Sequence, residues 1–222
     1  MSPARRTPVL PARPSRPLRL TRARLDEAEA HLRAVDPKLA RVIDAVGPCT
    51  MLPARTGSHF THLTRSIVYQ QLSTGAATTI HERLLAMLGG PPEAEAIAAL
   101  DDAALRGVGL SAAKARAVRD LAERVLDGRL DLTLVDIAPD EAVIESLVQV
   151  RGIGPWTAQM FLMFRLGRPD VLPVLDLGVR KGAQQVHRLR ALPDAERLER
   201  LARPWQPWRS VASWYCWRVL EL

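Results

Sequence analysis

Only two cysteines, Cys49 and Cys216, occur in 222 residues. They are too few for a disulfide framework and read as reduced thiols of a cytosolic protein. Long apolar runs are missing as well. The best candidate, Met160 to Phe164, stops at Arg165, far short of the roughly 20 residues that span a bilayer, so no membrane segment is expected. The basic N-terminus has neither a compact apolar segment nor a cleavage site, so no secretory leader is expected. No stretch keeps a period-two alternation between turn signals, and the remaining reading is all-α. A glycine-rich phosphate loop with its lysine is absent, which argues against nucleotide hydrolysis. His59 and His62 stand three apart without further ligands and read as a solvated helix face rather than a metal site. Aromatic residues are scarce, at 5%. Yet four of the five tryptophans, Trp205, Trp208, Trp214 and Trp217, crowd into one stretch near the C-terminus, a density that an amphipathic core helix rarely needs.

Charge is unevenly spread. Residues 1–24 hold seven arginines and no acid, residues 25–150 hold 12 basic against 18 acidic side chains, and residues 151–222 hold 12 against 6. A basic face opposite an acidic one suits a polyanionic partner held in one orientation, although an unevenly charged solvated surface would look the same. Residues 1–22, rich in proline and arginine, read as a disordered basic tail. A helical domain, 23–222, follows. Apolar spacing and punctuation place helices from Leu25 to Val35, from Pro37 to Gly47, from His59 to Leu72, after Ser73 to Gly89, after Ser111 to Leu126, from Pro139 to Val150, and from Thr157 to Leu166. Two more run from Pro193 to Ala202 and from Trp208 to Leu220.

The stretch Val150-Arg151-Gly152-Ile153-Gly154-Pro155-Trp156-Thr157-Ala158 lies between two of these helices. Two glycines one residue apart allow a tight turn, through positive φ or close backbone approach. The helix that follows starts with unpaired N–H groups, a natural anion site. An ordinary helical hairpin would carry the same glycines. Arg106-Gly107-Val108-Gly109 before Ala113 echoes the pattern; it fits a second, weaker backbone contact to phosphate, but reads better as a shared way of turning between packed helices. Downstream, Asp176 sits in the apolar run Val171-Leu172-Pro173-Val174-Leu175-Asp176-Leu177-Gly178-Val179. A carboxylate there is costly to bury unless it is paired or functional, and its position also fits a helix N-cap.

The string V-R-G-I-G-P-W-T-A, followed by D-L-G-V-R-K-G, resembles the helix-hairpin-helix (HhH-GPD) DNA glycosylases of base excision repair. Two further segments resemble theirs: Ser66-Ile67-Val68-Tyr69-Gln70-Gln71-Leu72-Ser73, and Pro207-Trp208-Arg209-Ser210 with Trp217. The resemblance covers about residues 25–220. It implies two helical lobes flanking a cleft, with Asp176 as the catalytic carboxylate and Gly152, Gly154 and Thr157 holding a DNA phosphate. It implies Gln71, with Leu72 beside it, as the side chain that fills the hole left by a flipped base. The backbone carbonyls of Val148, Val150 and Ile153 match those that hold a monovalent cation, Na+ or K+, in the family.

Members that also cleave the strand carry a Schiff-base lysine where this chain has Trp156, which implies base removal without a lyase step. Tryptophan there is similar to the 3-methyladenine DNA glycosylase II (AlkA) branch. An indole face attracts a cationic methylated base by about 0.5–2 kcal/mol, and such a base leaves without being protonated. Trp156 and Trp217 are then walls of the base pocket, with Met160 and Leu177 standing where the family has aromatic residues. The N-terminal β domain of the enteric members and the four-cysteine iron–sulfur cluster of other relatives have no counterpart in this sequence. The expectation is a cytoplasmic, bacterial-type, monomeric enzyme. It would excise alkylated bases from double-stranded DNA, with no cofactor required. The alternatives are a non-catalytic DNA-binding module and a glycosylase for oxidised or mismatched bases.

Overall fold

The computed structural model describes residues 17–222, so the basic segment 1–16, most of the expected tail, lies outside the described residues. Among the described residues there are twelve α-helices and no strand. The first are α1 (Arg22–Val35), α2 (Pro37–Val46), α3 (His59–Tyr69), α4 (Thr74–Leu88), α5 (Ala94–Ala98), α6 (Asp102–Gly107) and α7 (Ala112–Leu126). Then come α8 (Asp140–Leu147), α9 (Pro155–Phe161), α10 (Leu177–His187), α11 (Ala195–Ala202) and α12 (Arg209–Arg218). Side chains cap most of their starts. Ser58, Ser73, Ser111, Asp101, Asp176 and Asp194 each accept a backbone N–H in the first turn of the helix that follows. Each such cap contributes about 1 kcal/mol.

The helices gather into two lobes. The middle of the chain makes one, in which α3, α5 and α6 pack on α7 and α4 packs on α3. The two ends make the other, where α1, α2, α10 and α12 pack together. Leu25, Leu32, Leu39 and Ile43 are fully buried in that second lobe, and burying such a side chain contributes roughly 1.5–3 kcal/mol. Asp36, 7% exposed, joins its corners. It caps α2 through the N–H groups of Lys38 and Leu39, accepts the Trp205 indole N–H at 2.8 Å, and lies 3.3 Å from His187 Nε2.

Three expectations need correction. Residues 17–22 do not belong to a free tail: Leu20 is buried, its N–H donates to the Gly167 carbonyl at 2.7 Å, and Thr21 caps α1. The third helix ends at Tyr69 rather than Leu72, because Gln70 is extended and Gln71 is left-handed, at φ +55°. His59 is no solvated residue; its Nε2 meets Asp136 at 3.2 Å and its Nδ1 accepts from the Arg165 guanidinium.

Between the lobes lies the α8–α9 hairpin. Arg168, 1% exposed, donates to the Val135 and Ala138 carbonyls and lies 3.2 Å from the carboxylate of Asp140. It thereby fixes the loop that launches α8. After Phe161 the helix widens to a π turn, Leu162–Leu166, closed by Gly167 at φ +67°. No helix among the described residues is long and apolar enough to cross a membrane. Both cysteines are buried, which pushes the Cys49 thiol up to about 12 and raises that of Cys216.

Candidate nucleic-acid site at the hairpin

The hairpin owes its shape to one glycine more than the other. Gly152 has φ +79°, and a Cβ there would sit 3.1 Å from Cβ of Ala117, so left-handed backbone and close packing on α7 both call for glycine. Gly154 is extended and meets nothing within 4 Å. Its small size leaves open space beside the start of α9. Asp120 of α7 accepts the Arg151 N–H at 2.7 Å and holds the tip of the turn. In contrast to the capped helices, α9 starts after Gly154 with no side-chain cap. Its first N–H groups, those of Trp156 and Thr157, are left for another acceptor. On the inner side, the carbonyls of Val148 and Ile153 accept no backbone hydrogen bond among the described residues, and that of Val150 accepts one, from Ile153. Free carbonyl lone pairs are the donor set a monovalent cation takes.

Behind α9 stands Asp176. It caps α10 through the Val179 N–H, 2.7 Å from Oδ1. The Trp217 indole N–H reaches the same oxygen at 2.9 Å, and the Trp156 indole N–H reaches Oδ2 at 2.6 Å. Three N–H donors thus converge on one half-buried carboxylate. The approach of α12 to α10 makes this possible. Gly178 and Gly182 lie one turn apart on the face of α10 toward α12. A Cβ on Gly182 would fall 1.9 Å from the Cys216 carbonyl oxygen, and one on Gly178 would fall 2.7 Å from Cδ1 of Trp217.

A cavity of about 450 Å3 shares Trp156 with this group and is lined by Ser66, Tyr69, Gln70 and Gln71 from the end of α3, and by Gly152, Trp156, Thr157 and Met160 from the hairpin. Trp156, 46% exposed, is the wall shared by the cavity and the carboxylate. Of the residues the sequence assigns to a pocket, Trp156 and Met160 line the cavity. Trp217 and Leu177 do not; Leu177 is exposed beside Asp176, and Trp217 reaches the carboxylate from α12. Gln71 is on the rim with Leu72 exposed next to it, while Gln70 turns inward and donates to the Gly152 carbonyl at 2.9 Å and to Thr157 Oγ1 at 3.3 Å.

One residue escapes sequence reasoning. Phe164, in the π turn, is exposed and stacks on Trp217 with ring centroids 5.9 Å apart and planes at 25°. Its apolar run marks it as core; only the widened turn rotates it outward. Trp205 and Trp208 are buried, and Trp214 packs edge-on against Tyr215.

Comparison with known proteins gives one family model, described as HhH-GPD superfamily base excision DNA repair protein, which matches residues 64–207. A relative from Schizosaccharomyces pombe, DNA-3-methyladenine glycosylase 1, is 32% identical over 204 residues, 89% of each chain. The solved structure of S. pombe 3-methyladenine DNA glycosylase (Mag1) in complex with abasic DNA superposes with a TM-score of 0.77 at 32% identity. That match covers 88% of this chain and 97% of the other. The structure of a DNA-3-methyladenine glycosidase from Bacillus halodurans gives 0.78 at 37% identity, covering 87% and 88%.

Proposed function

Because this chain belongs to the HhH-GPD superfamily of base excision DNA repair proteins, we propose that it is a DNA glycosylase that hydrolyses the bond between an alkylated base and its deoxyribose. The observation that carries the reading is the carboxylate of Asp176, held by three N–H donors and sharing Trp156 with a cavity beside the hairpin. The homologues named 3-methyladenine DNA glycosylase support the substrate class.

The chemistry follows from charge. Methylation at a ring nitrogen makes the base cationic and a good leaving group, so the C1′–N bond can break with no acid placed in the site. The sugar left behind is oxocarbenium-like, and a fixed negative charge beside it lowers the barrier. Asp176 meets that need without reorganising, since Val179, Trp217 and Trp156 already fix both oxygens. Water then adds to C1′ and the products are the free base and an abasic site. The face of Trp156 attracts the cationic base in the cavity. The uncapped N–H groups of α9 beyond Gly154 donate to a phosphate and set register without reading sequence. Val148, Val150 and Ile153 would hold a monovalent cation whose charge adds to that phosphate contact. Gln71 enters the stack as the base leaves it.

No amine stands at position 156, so the reaction ends at the abasic site with the strand intact. Base release from methylated duplex DNA by the wild type and by Asp176→Asn, each with and without alkali, tests the whole reading. Wild-type release with strand breaks only after alkali, abolished in a folded Asp176→Asn protein, is the expected result. Strand breaks without alkali would remove the monofunctional assignment. Equal release by both proteins would remove Asp176 from the mechanism.

A further inference from the structure

Lys114 occupies the first turn of α7 and lies far in sequence from the end of α3, yet both of its acceptors are there. Its Nζ donates to the Val68 carbonyl at 2.7 Å and to the Gln70 carbonyl at 2.6 Å. The last carbonyls of a helix need donors, and a cation there also complements the helix dipole. The lysine does more than cap, because the chain changes direction between its two acceptors and the next residue. Gln70 is extended, and Gln71 takes the left-handed conformation, rarely adopted by a long side chain. That turn points Gln71 and Leu72 outward at the cavity rim. Gln70 is held at both ends, its backbone carbonyl by Lys114 and its side-chain amide by Gly152 and Thr157 of the hairpin. The ammonium is partly buried, and that burial lowers its pKa.

We propose that Lys114 is a positioning residue for base flipping: seated on the Val68 and Gln70 carbonyls, it holds the rim loop rigid against the hairpin that grips the backbone. The inference rests on the glycosylase reading and on Gln71 as the inserted side chain. Opening the stack costs free energy that the inserted side chain must offset. A loop free to move would spend that gain on being ordered. Lys114 removes that cost in advance and couples the loop to the phosphate contact through Gln70.

The experiment compares single-turnover release of one methylated base in two duplexes, one with the lesion paired and one with it opposite a tetrahydrofuran abasic analogue, where no partner must be broken. Flipping limits the first more than the second. The ratio of the two rates comes from one protein sample, so partial unfolding of a variant cancels. Lys114→Met keeps the stem and loses the donors, and it should lower the paired-to-unpaired ratio about tenfold, the scale of one hydrogen bond to a charged group. Lys114→Arg, which keeps cationic donors, should restore part of that loss, and Gln71→Ala should lower the ratio as Lys114→Met does. A wild-type ratio in Lys114→Met beside a lowered one in Gln71→Ala overturns the role of Lys114 and leaves the inserted side chain standing. Unchanged ratios in both remove Gln71 from flipping and the proposal with it. No release by the wild type from either duplex overturns the glycosylase reading itself.

Discussion

Adding one methyl group at Gly178 should disable the site while leaving the fold nearly intact. A Cβ there would lie 2.7 Å from Cδ1 and 2.9 Å from Nε1 of Trp217, and 3.1 Å from Oδ1 of Asp176. Carbon atoms in ordinary contact stand about 3.5–4.0 Å apart, so the indole must retreat by about 1 Å. The Trp217 N–H now lies 2.9 Å from Asp176, and such a retreat takes it past the roughly 3.2 Å limit of a good hydrogen bond. Losing a bond to a charged acceptor costs about 1.5–3 kcal/mol. Expressed wholly in the transition state, that is roughly a 10- to 150-fold fall in the single-turnover rate. Stability should fall by no more than about 2 kcal/mol, because alanine gains about 1 kcal/mol over glycine in a helix against a crowding cost of about 1–3 kcal/mol. Gly182→Ala is the contrast. Its Cβ would meet the Cys216 carbonyl oxygen at 1.9 Å, and backbone cannot swing aside, so α10 and α12 must part and thermal stability must drop. Single-turnover base release and thermal unfolding, measured on both variants, decide the matter. Full activity in Gly178→Ala would refute the reasoning, as would losses of rate and stability that track each other in the two proteins.

Two further outcomes follow from the same geometry. Trp156→Phe keeps an aromatic face but removes the N–H that reaches Asp176 at 2.6 Å, so the rate of base release should fall about tenfold with DNA affinity unchanged; an unaltered rate would leave Trp156 as a stacking surface alone. Asp36 tests the other end of α10. Burial opposes its ionisation, but His187, the Trp205 indole and the Leu39 N–H outweigh it and hold its pKa at about 2 against an ordinary 3.8. A depressed carboxyl stabilises the fold fully above its unfolded value and loses that contribution as pH falls through its folded one. Asp36→Asn should therefore cost about 2 kcal/mol near neutral pH, and denaturant unfolding should show the gap to wild type closing between about pH 4 and pH 2; a gap independent of pH would contradict the assignment.

Local chemistry made much of the molecule readable beforehand. Ser73, Ser111 and Asp176 announce helix starts because their oxygens satisfy first-turn N–H groups, and the Gly152 turn announces the hairpin. What escaped depends on contacts made across the fold. The short helices α5 and α6 are too brief for a period to show. Beyond its cap, α10 carries two glycines that weaken a helix taken alone, and it forms because those glycines let α12 approach. Phe164 faces outward because a π turn breaks the 3.6-residue period on which the reading of faces depends. Trp217 meets Asp176 through helix packing, which no spacing in the sequence reports. Gln70 and Gln71 look alike as neighbouring amides, and only the left-handed backbone of the second separates a tether from a rim residue.

The lobe built from both ends of the chain has a consequence for the order of assembly. Helices α3 to α7 find their partners close by in sequence and can collapse early. The core shared by α1, α2, α10 and α12 must wait for the longest loop closure in the molecule, the slow kind of contact. Asp176 gains its Trp217 donor only in that last step. During synthesis, a chain that has folded its middle and its hairpin already carries the uncapped start of α9, but Asp176 still lacks its Trp217 donor. On the proposed mechanism, base cleavage would reach its full rate only once the last helix docks.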